Sequence, residues 1–473
     1  MSGRWGVIFL VLILEGVPLR AQRISIPQSQ VRAMAEWEEV EYLLLTWTQF
    51  IPTLAEVVRH TQDECQILIV CEDSNLVKQD LRSLDVPLHN LLYLERPFNS
   101  IWMRDYGPMT VYDGVVGNRL LVDWVYNRPR PEDDALSKAI ARTLGIPWYA
   151  LDQAPFDLVH IGGNFITDGA GLGLSSDLVL KDNQSRRFTL YPKTEAAIDS
   201  LMRRSLGLDR FVKLTALPFD HIHHLDMHMQ LLDEETLLVG EYPAGIADGP
   251  QIEENLQFLI QHVESTFGHP MRIIRVPMPS LNGLYPDTKR TPYLTHTNLV
   301  IVNRTILVPV YGGPTDSIAM QTLQEEFPGY RIVGIDCKSV IQAGGALHCI
   351  TRTIGVEQPL RIVHRPIREE VPPYFPLEIS AEIFHQESVA RATIHYRYAG
   401  DSSFIPVPMI PFNAAGTQWS GYLPIDRDYG SVEYYIEAEA ATGKVMTRPM
   451  SAPQGYWRFP IAEPTLLGLQ DEF

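Results

Sequence analysis

Apolar and polar positions alternate between two periods along most of this chain. Glu41 to Trp47, Gln66 to Cys71 and Leu91 to Leu94 are short apolar runs of strand length, and Thr53 to Glu64 and Asn75 to Ser83 between them have helical spacing. Similar apolar runs return at Leu120-Leu121-Val122, Thr236 to Val239, Ile273 to Val276 and Leu299 to Val302. Each is followed by a polar loop. Residue identity demonstrates no internal repeat, but small strand and helix modules with ionisable loops suit a site shared among modules.

The pattern changes near Pro366. Pro366, Pro372, Pro373 and Pro376 break the chain, after which Ala392 to Tyr398 and Val432 to Ala438 alternate with period two. No helical spacing appears there, and Gly400-Asp401 and Gly416 mark turns. About a hundred residues of this kind fit a small β-sandwich of immunoglobulin-like type. The expected division is therefore residues 1–21, 22–365 and 366–473.

Residues 1–21 read as a secretory leader: Arg4 precedes an apolar run from Val7 to Leu14, Pro18 breaks it, and Leu19-Arg20-Ala21 offers a small-residue cleavage site. The run is too short to span a bilayer, and no later segment is long and apolar enough to do so. A secreted, periplasmic or cell-envelope location is expected, without a membrane span. Phe473 closes the chain soon after the sandwich, which leaves attachment to a cell surface unsupported.

The 473 residues are 45% hydrophobic, enough for two cored domains, and carry a formal net charge of −18, which disfavours nucleic acid and favours a cationic or neutral partner. Oligomeric state leaves no mark in the sequence. The 4 cysteines are too few for a disulfide scaffold. Cys65 and Cys71 bracket an apolar strand and read as core thiols. Cys349, in Gly344-Gly345-Ala346-Leu347-His348-Cys349, reads as an exposed nucleophile on a tight turn or as half of a bridge to Cys337.

A thiol needs a proton-transfer partner and a reason to ionise. Trp102-Met103-Arg104-Asp105-Tyr106-Gly107-Pro108 and the histidine-rich stretch from His221 to His228 can supply both. Asp105 and Asp226 could each accept a pair of hydrogen bonds from a planar guanidinium, with Trp102 stacked on its face. Cys349 would then attack the central carbon while His224 donates a proton to departing ammonia. Competing readings stand beside this one. Asp105 could pair with Arg104, and His224 and His228 could join Asp226 or His221 on a metal. His221, His223 and His228 otherwise read as core or loop residues. His348 would point away from Cys349 if the segment is extended, which leaves His224 as the acid and base.

Trp102 to Pro108, His224-Leu225-Asp226 and Gly344 to Cys349, in this order and at wide spacing, resemble the bacterial peptidylarginine deiminase and agmatine deiminase family. Gly162 to Gly169 is similar to that family's glycine-rich segment, and Thr297-Asn298 falls where it has a site-lining asparagine. The resemblance covers roughly residues 35 to 360. It implies an α/β pentein fold, a five-bladed propeller of ββαβ-like modules around a central site, and a guanidine-modifying hydrolase with no organic cofactor; no residue is assigned to a metal. Asn164 and Asn298 join Trp102 as implied substrate-binding residues.

Tyr126-Asn127-Arg128-Pro129-Arg130-Pro131 sharpens the substrate question. Prolines keep this segment extended, so Arg128 and Arg130, two apart, can face the same way and hold a carboxylate. A peptide ending in arginine presents such a carboxylate, whereas agmatine presents an ammonium that the pair would repel. The segment is similar to the carboxylate-binding part of the bacterial peptidylarginine deiminases. The competing reading pairs both arginines with Glu132, Asp133 and Asp134. Three functions follow in order: a secreted deiminase of C-terminal arginine in peptides or proteins, a deiminase of small guanidines such as agmatine, and a non-catalytic adhesion protein.

Overall fold

The computed structural model describes residues 21–463, apart from 187, 190 and 289. The expected leader lies outside the described residues except for Ala21.

Val40–Thr46, Gln66–Cys71 and Leu91–Glu95 lie parallel, joined by helices Ile51–Thr61 and Ser74–Ser83. The apolar runs of the first two are almost wholly buried, as expected of parallel strands covered on both faces, while the third, at the sheet edge, is more open. The second helix starts where the Asp73 carboxylate accepts the Asn75 N–H at 2.8 Å, satisfying an otherwise orphaned donor. Thr351–Gly355 completes this first sheet by pairing antiparallel with Val40–Thr46.

Four more small sheets follow. The second contains Val31–Ala33, Met109–Asp113, Arg119–Trp124 and Trp148–Leu151. The third contains Ile166–Thr167, Leu172–Ser176 and Arg210–Leu214, the fourth Met229–Leu231, Thr236–Glu241 and Arg272–Pro277, and the fifth Val300–Val302, Thr305–Val310 and Arg331–Asp336. In each of the five, an antiparallel pair is extended by a parallel strand reached through at least one helix. The modular repeat that residue identity hides is therefore plain in the strand pairing.

The β-rich C-terminal part packs two antiparallel sheets around Ile379, Ile383, Ile394, Leu423, Val432, Ile436 and Phe459. Val389–Tyr398 and Ser431–Ala440 form its longest pairing, with inward positions buried and outward ones more open, which is the period-two pattern of the sequence. Among the described residues it has no helix. Arg361–Val363 already pairs with Leu377–Phe384, so this part begins ahead of Pro366, where proline content placed the boundary. Glu234 meets Arg448 at 2.9 Å and Glu39 meets Lys444 at 2.6 Å, tying it to the α/β part.

All four cysteines are free, so Cys337 and Cys349 form no bridge. Among the described residues no helix is long and apolar enough to cross a membrane.

Candidate active site

The singled-out residues sit where the chain passes from one sheet to the next. Trp102 and Asp105 lie between the first and second sheets, Gly163 and Asn164 between the second and third, and His224 and Asp226 between the third and fourth. Asn298 precedes the fifth sheet, and Cys349 precedes the strand that returns to the first. Trp102, Asp105, His224 and Cys349 line one cavity of about 210 Å³, together with Tyr126, Arg128, Arg130 and His221.

Cys349 is buried at this cavity, not exposed on its turn. Its sulfur lies 3.6 Å from Asp226 Oδ2 and receives the Asn298 Nδ2 hydrogen at 3.2 Å. Asn298 Oδ1 accepts backbone N–H groups of Ala346 at 3.2 Å, His348 at 3.0 Å and Cys349 at 3.3 Å. One fully buried amide thus holds the whole turn that presents the sulfur.

Glycines let these pieces approach. A Cβ on Gly163 would stand 2.7 Å from His224 Nδ1, 3.0 Å from Asp105 Oδ1 and 3.1 Å from Asp226 Oδ2. A Cβ on Gly345 would stand 2.7 Å from the Trp102 ring and 2.9 Å from the Cys349 sulfur. At either position a larger side chain would force these groups to shift.

Burial and neighbouring acids dominate the ionisation of these groups, with Arg128 and Arg130 opposing them at Asp105. Burial, then the neighbouring Asp226, raises the Asp105 carboxyl to about 7. Burial followed by Asp226 and Asp105 pushes the Cys349 thiol far above its usual range. Burial lowers the His224 imidazole to about 4, so it stands neutral. Asp105 Oδ1, Asp226 Oδ1 and both His224 ring nitrogens are buried without a hydrogen-bond partner among the described residues. Unpaired buried acceptors around a thiol call for a cation rich in N–H groups, which would satisfy them and favour the thiolate.

Several expectations change. Arg104 does not pair with Asp105; it binds Glu36 at 2.6 Å behind the site. Arg128 and Arg130 form no ion pair with Glu132, Asp133 or Asp134 among the described residues and line the cavity instead. His221 also lines it, beyond its reading as a loop residue. Asn164 and Asn298 are buried and do not line the cavity; Asn164 Oδ1 accepts the Ser176 N–H at 3.0 Å. His348 does not turn away: residues 347–350 form a turn rather than a strand, and His348 Nδ1 lies 2.7 Å from Asp226 Oδ2. Glu36, which sequence reading missed, carried no local signal, because its partners Arg104 and His348 are remote in the chain. No cluster of metal-holding geometry occurs among the described residues.

Residues 32–354 match the profile of the Porphyromonas-type peptidyl-arginine deiminase family. A protein of Vibrio parahaemolyticus, provisionally named an agmatine deiminase, is 26% identical over 293 residues, covering 55% of this chain and 77% of its own. The crystal structure of a provisionally named arginine deiminase from Porphyromonas gingivalis superposes with a TM-score of 0.60 at 22% identity, covering 70% of this chain and 100% of its own. The agmatine deiminase of Enterococcus faecalis gives a TM-score of 0.62 at 21% identity, covering 71% and 100%. These likenesses establish an α/β fold of the pentein deiminase kind, followed by an additional β-rich part. The class is that of hydrolases acting on the C–N bonds of guanidine groups. The chain belongs to the Porphyromonas-type peptidyl-arginine deiminase family.

Proposed function

We propose that this protein converts arginine in peptides, preferentially at the C-terminus, to citrulline with release of ammonia. The observation that carries this reading is that Arg128 and Arg130 line the same cavity as Asp105 and Cys349. The acidic groups receive the guanidinium, and the two arginines receive the α-carboxylate of the same residue.

In this reading the incoming cation lowers the cost of ionising both Asp105 and the thiol. Neutral His224 takes the Cys349 proton, and the sulfur attacks the guanidinium carbon. His224 returns the proton to the departing nitrogen, and ammonia leaves a thiouronium adduct on Cys349. Water, deprotonated by His224, then displaces the sulfur to give the ureido product and the free thiol. The five sheets serve as blades of a pentein propeller around this cavity, and the two C-terminal sheets as an immunoglobulin-like sandwich. Residues 1–21 act as an export leader.

A second reading, agmatine deimination, is supported by the names of the relatives from Vibrio and Enterococcus. Against it, two arginines would face the agmatine ammonium. Incubation with an arginine-terminated peptide, its amide and agmatine, followed by ureido and ammonia assay, separates them. The expected order of kcat/KM is free peptide, amidated peptide, agmatine, and Arg128→Ala/Arg130→Ala raises KM for the free peptide alone. Agmatine turned over faster than the peptide would overturn the proposal.

A further inference from the structure

Two loops that line the cavity are tied together by a single carboxylate. Trp102 and Asp105 follow strand Leu91–Glu95, and Arg128 and Arg130 follow strand Arg119–Trp124. Asp133 is fully buried between them. Its Oδ1 accepts the Asn99 N–H at 2.7 Å and the Ser100 N–H at 3.1 Å, and its Oδ2 accepts the Ser100 hydroxyl at 2.6 Å. Asn99 Oδ1 answers by accepting the Glu132 N–H at 2.9 Å.

With its proton committed to Asp133, the Ser100 oxygen offers lone pairs outward, and Arg130 Nη1 donates to it at 3.2 Å. The same nitrogen donates to the Tyr126 hydroxyl at 3.2 Å. The Ser100 carbonyl, in turn, accepts from the Tyr106 hydroxyl at 2.9 Å, next in sequence to Asp105. A hydroxyl polarised by a buried carboxylate is a preorganised acceptor, and it reaches the guanidinium without neutralising it as a direct ion pair would. Arg130 is therefore held in place with its charge still available to a ligand.

We infer that Ser100 and Asp133 are positioning residues that fix Arg130 relative to Asp105, and so set the guanidinium-to-carboxylate length the cavity accepts. This rests on the carboxylate-binding reading above. The substrate class it selects is arginine bearing its own free α-carboxylate, with homologues one methylene longer or shorter excluded.

The test compares kcat and KM for three matched peptides, ending in free arginine, amidated arginine and free homoarginine. Wild-type enzyme showing no preference for the free carboxylate would refute the underlying reading itself. Given that preference, Ser100→Ala is expected to raise KM for the free arginine peptide about tenfold, the worth of one hydrogen bond to a charged group. The loss should be confined to that peptide, shrink the discrimination against homoarginine, and vanish in an Arg130→Ala background. Ser100→Thr, which keeps the hydroxyl, should restore the wild-type pattern. Ser100→Ala retaining the wild-type preference, or losing rate equally on free and amidated peptides, overturns the inference.

Discussion

His348 Nδ1 and the Cys349 sulfur meet the same oxygen, Asp226 Oδ2, at 2.7 and 3.6 Å. The other side of the His348 ring faces Glu36 Oε1 at 3.6 Å. Burial opposes ionisation of Glu36, but Arg104 and His348 hold its carboxyl well below the usual carboxylate range. Asp226 is thereby clamped through one oxygen, while its other oxygen is buried without a hydrogen-bond partner among the described residues. His348→Ala should lower kcat by about 10- to 100-fold with little change in KM, since it removes a charge-assisted bond that orients the reacting centre. Steady-state kinetics showing an unchanged kcat would count against this role.

Gly163 stands at the meeting point of three proposed catalytic side chains. Gly163→Ala would place a methyl 2.7 Å from His224 Nδ1 and 3.0 Å from Asp105 Oδ1, distances that force the side chains apart. Activity should fall at least about a hundredfold, because small misplacements of reacting groups are costly. Rates within threefold of wild type, measured on folded protein, would show that these groups need not converge.

The raised Asp105 carboxyl makes substrate binding depend on pH. Below about 7 the empty site holds Asp105 protonated, and a bound guanidinium must expel that proton. Peptide affinity of the inactive Cys349→Ala variant should therefore rise about tenfold per pH unit up to 7 and level off above. Calorimetric titration across pH 5 to 8 checks this, and a flat profile contradicts it.

Stability should respond with the opposite sign. Asp105 has a reference value of 3.8 against about 7 in the folded protein, so its contribution is complete below 3.8 and is lost as pH rises toward 7. Asp105→Asn, which never ionises, should gain in melting temperature over wild type across that window. Parallel melting curves from pH 4 to 7 would sink the assignment.

Arg448, from the C-terminal part, meets buried Glu234 at 2.9 Å. Arg448→Met strands that carboxylate and should destabilise the protein by about 3–5 kcal/mol, while adding Glu234→Gln should recover most of the loss. Denaturant unfolding of the single and double variants measures both, and additive losses would mean that the two residues act independently.

Much of this fold was legible because burial imposes a local period. Gln66–Cys71 was read to the residue, and Leu91–Glu95 and Ser74–Ser83 to within one. Two C-terminal strands, Val389–Tyr398 and Ser431–Ala440, were recognised by alternation, but Arg361–Val363 was not, since three residues are too few to show a period. The turn at 347–350 was the main misreading: an extended segment sends neighbours to opposite faces, whereas a turn lets His348 and Cys349 share a partner.

From the sequence alone came the chemical inventory, Asp105, His224, Asp226 and Cys349, and the strand and helix modules that carry it, because side-chain chemistry and burial period are local properties. Only the tertiary structure decided that three of the connections between sheets meet Arg128 and Arg130 at one cavity. It also decided that Asp133 takes Ser100 as its partner and so leaves the charge of Arg130 available. Hydrogen-bond partners distant in the chain are chosen by packing, and no local pattern encodes that choice.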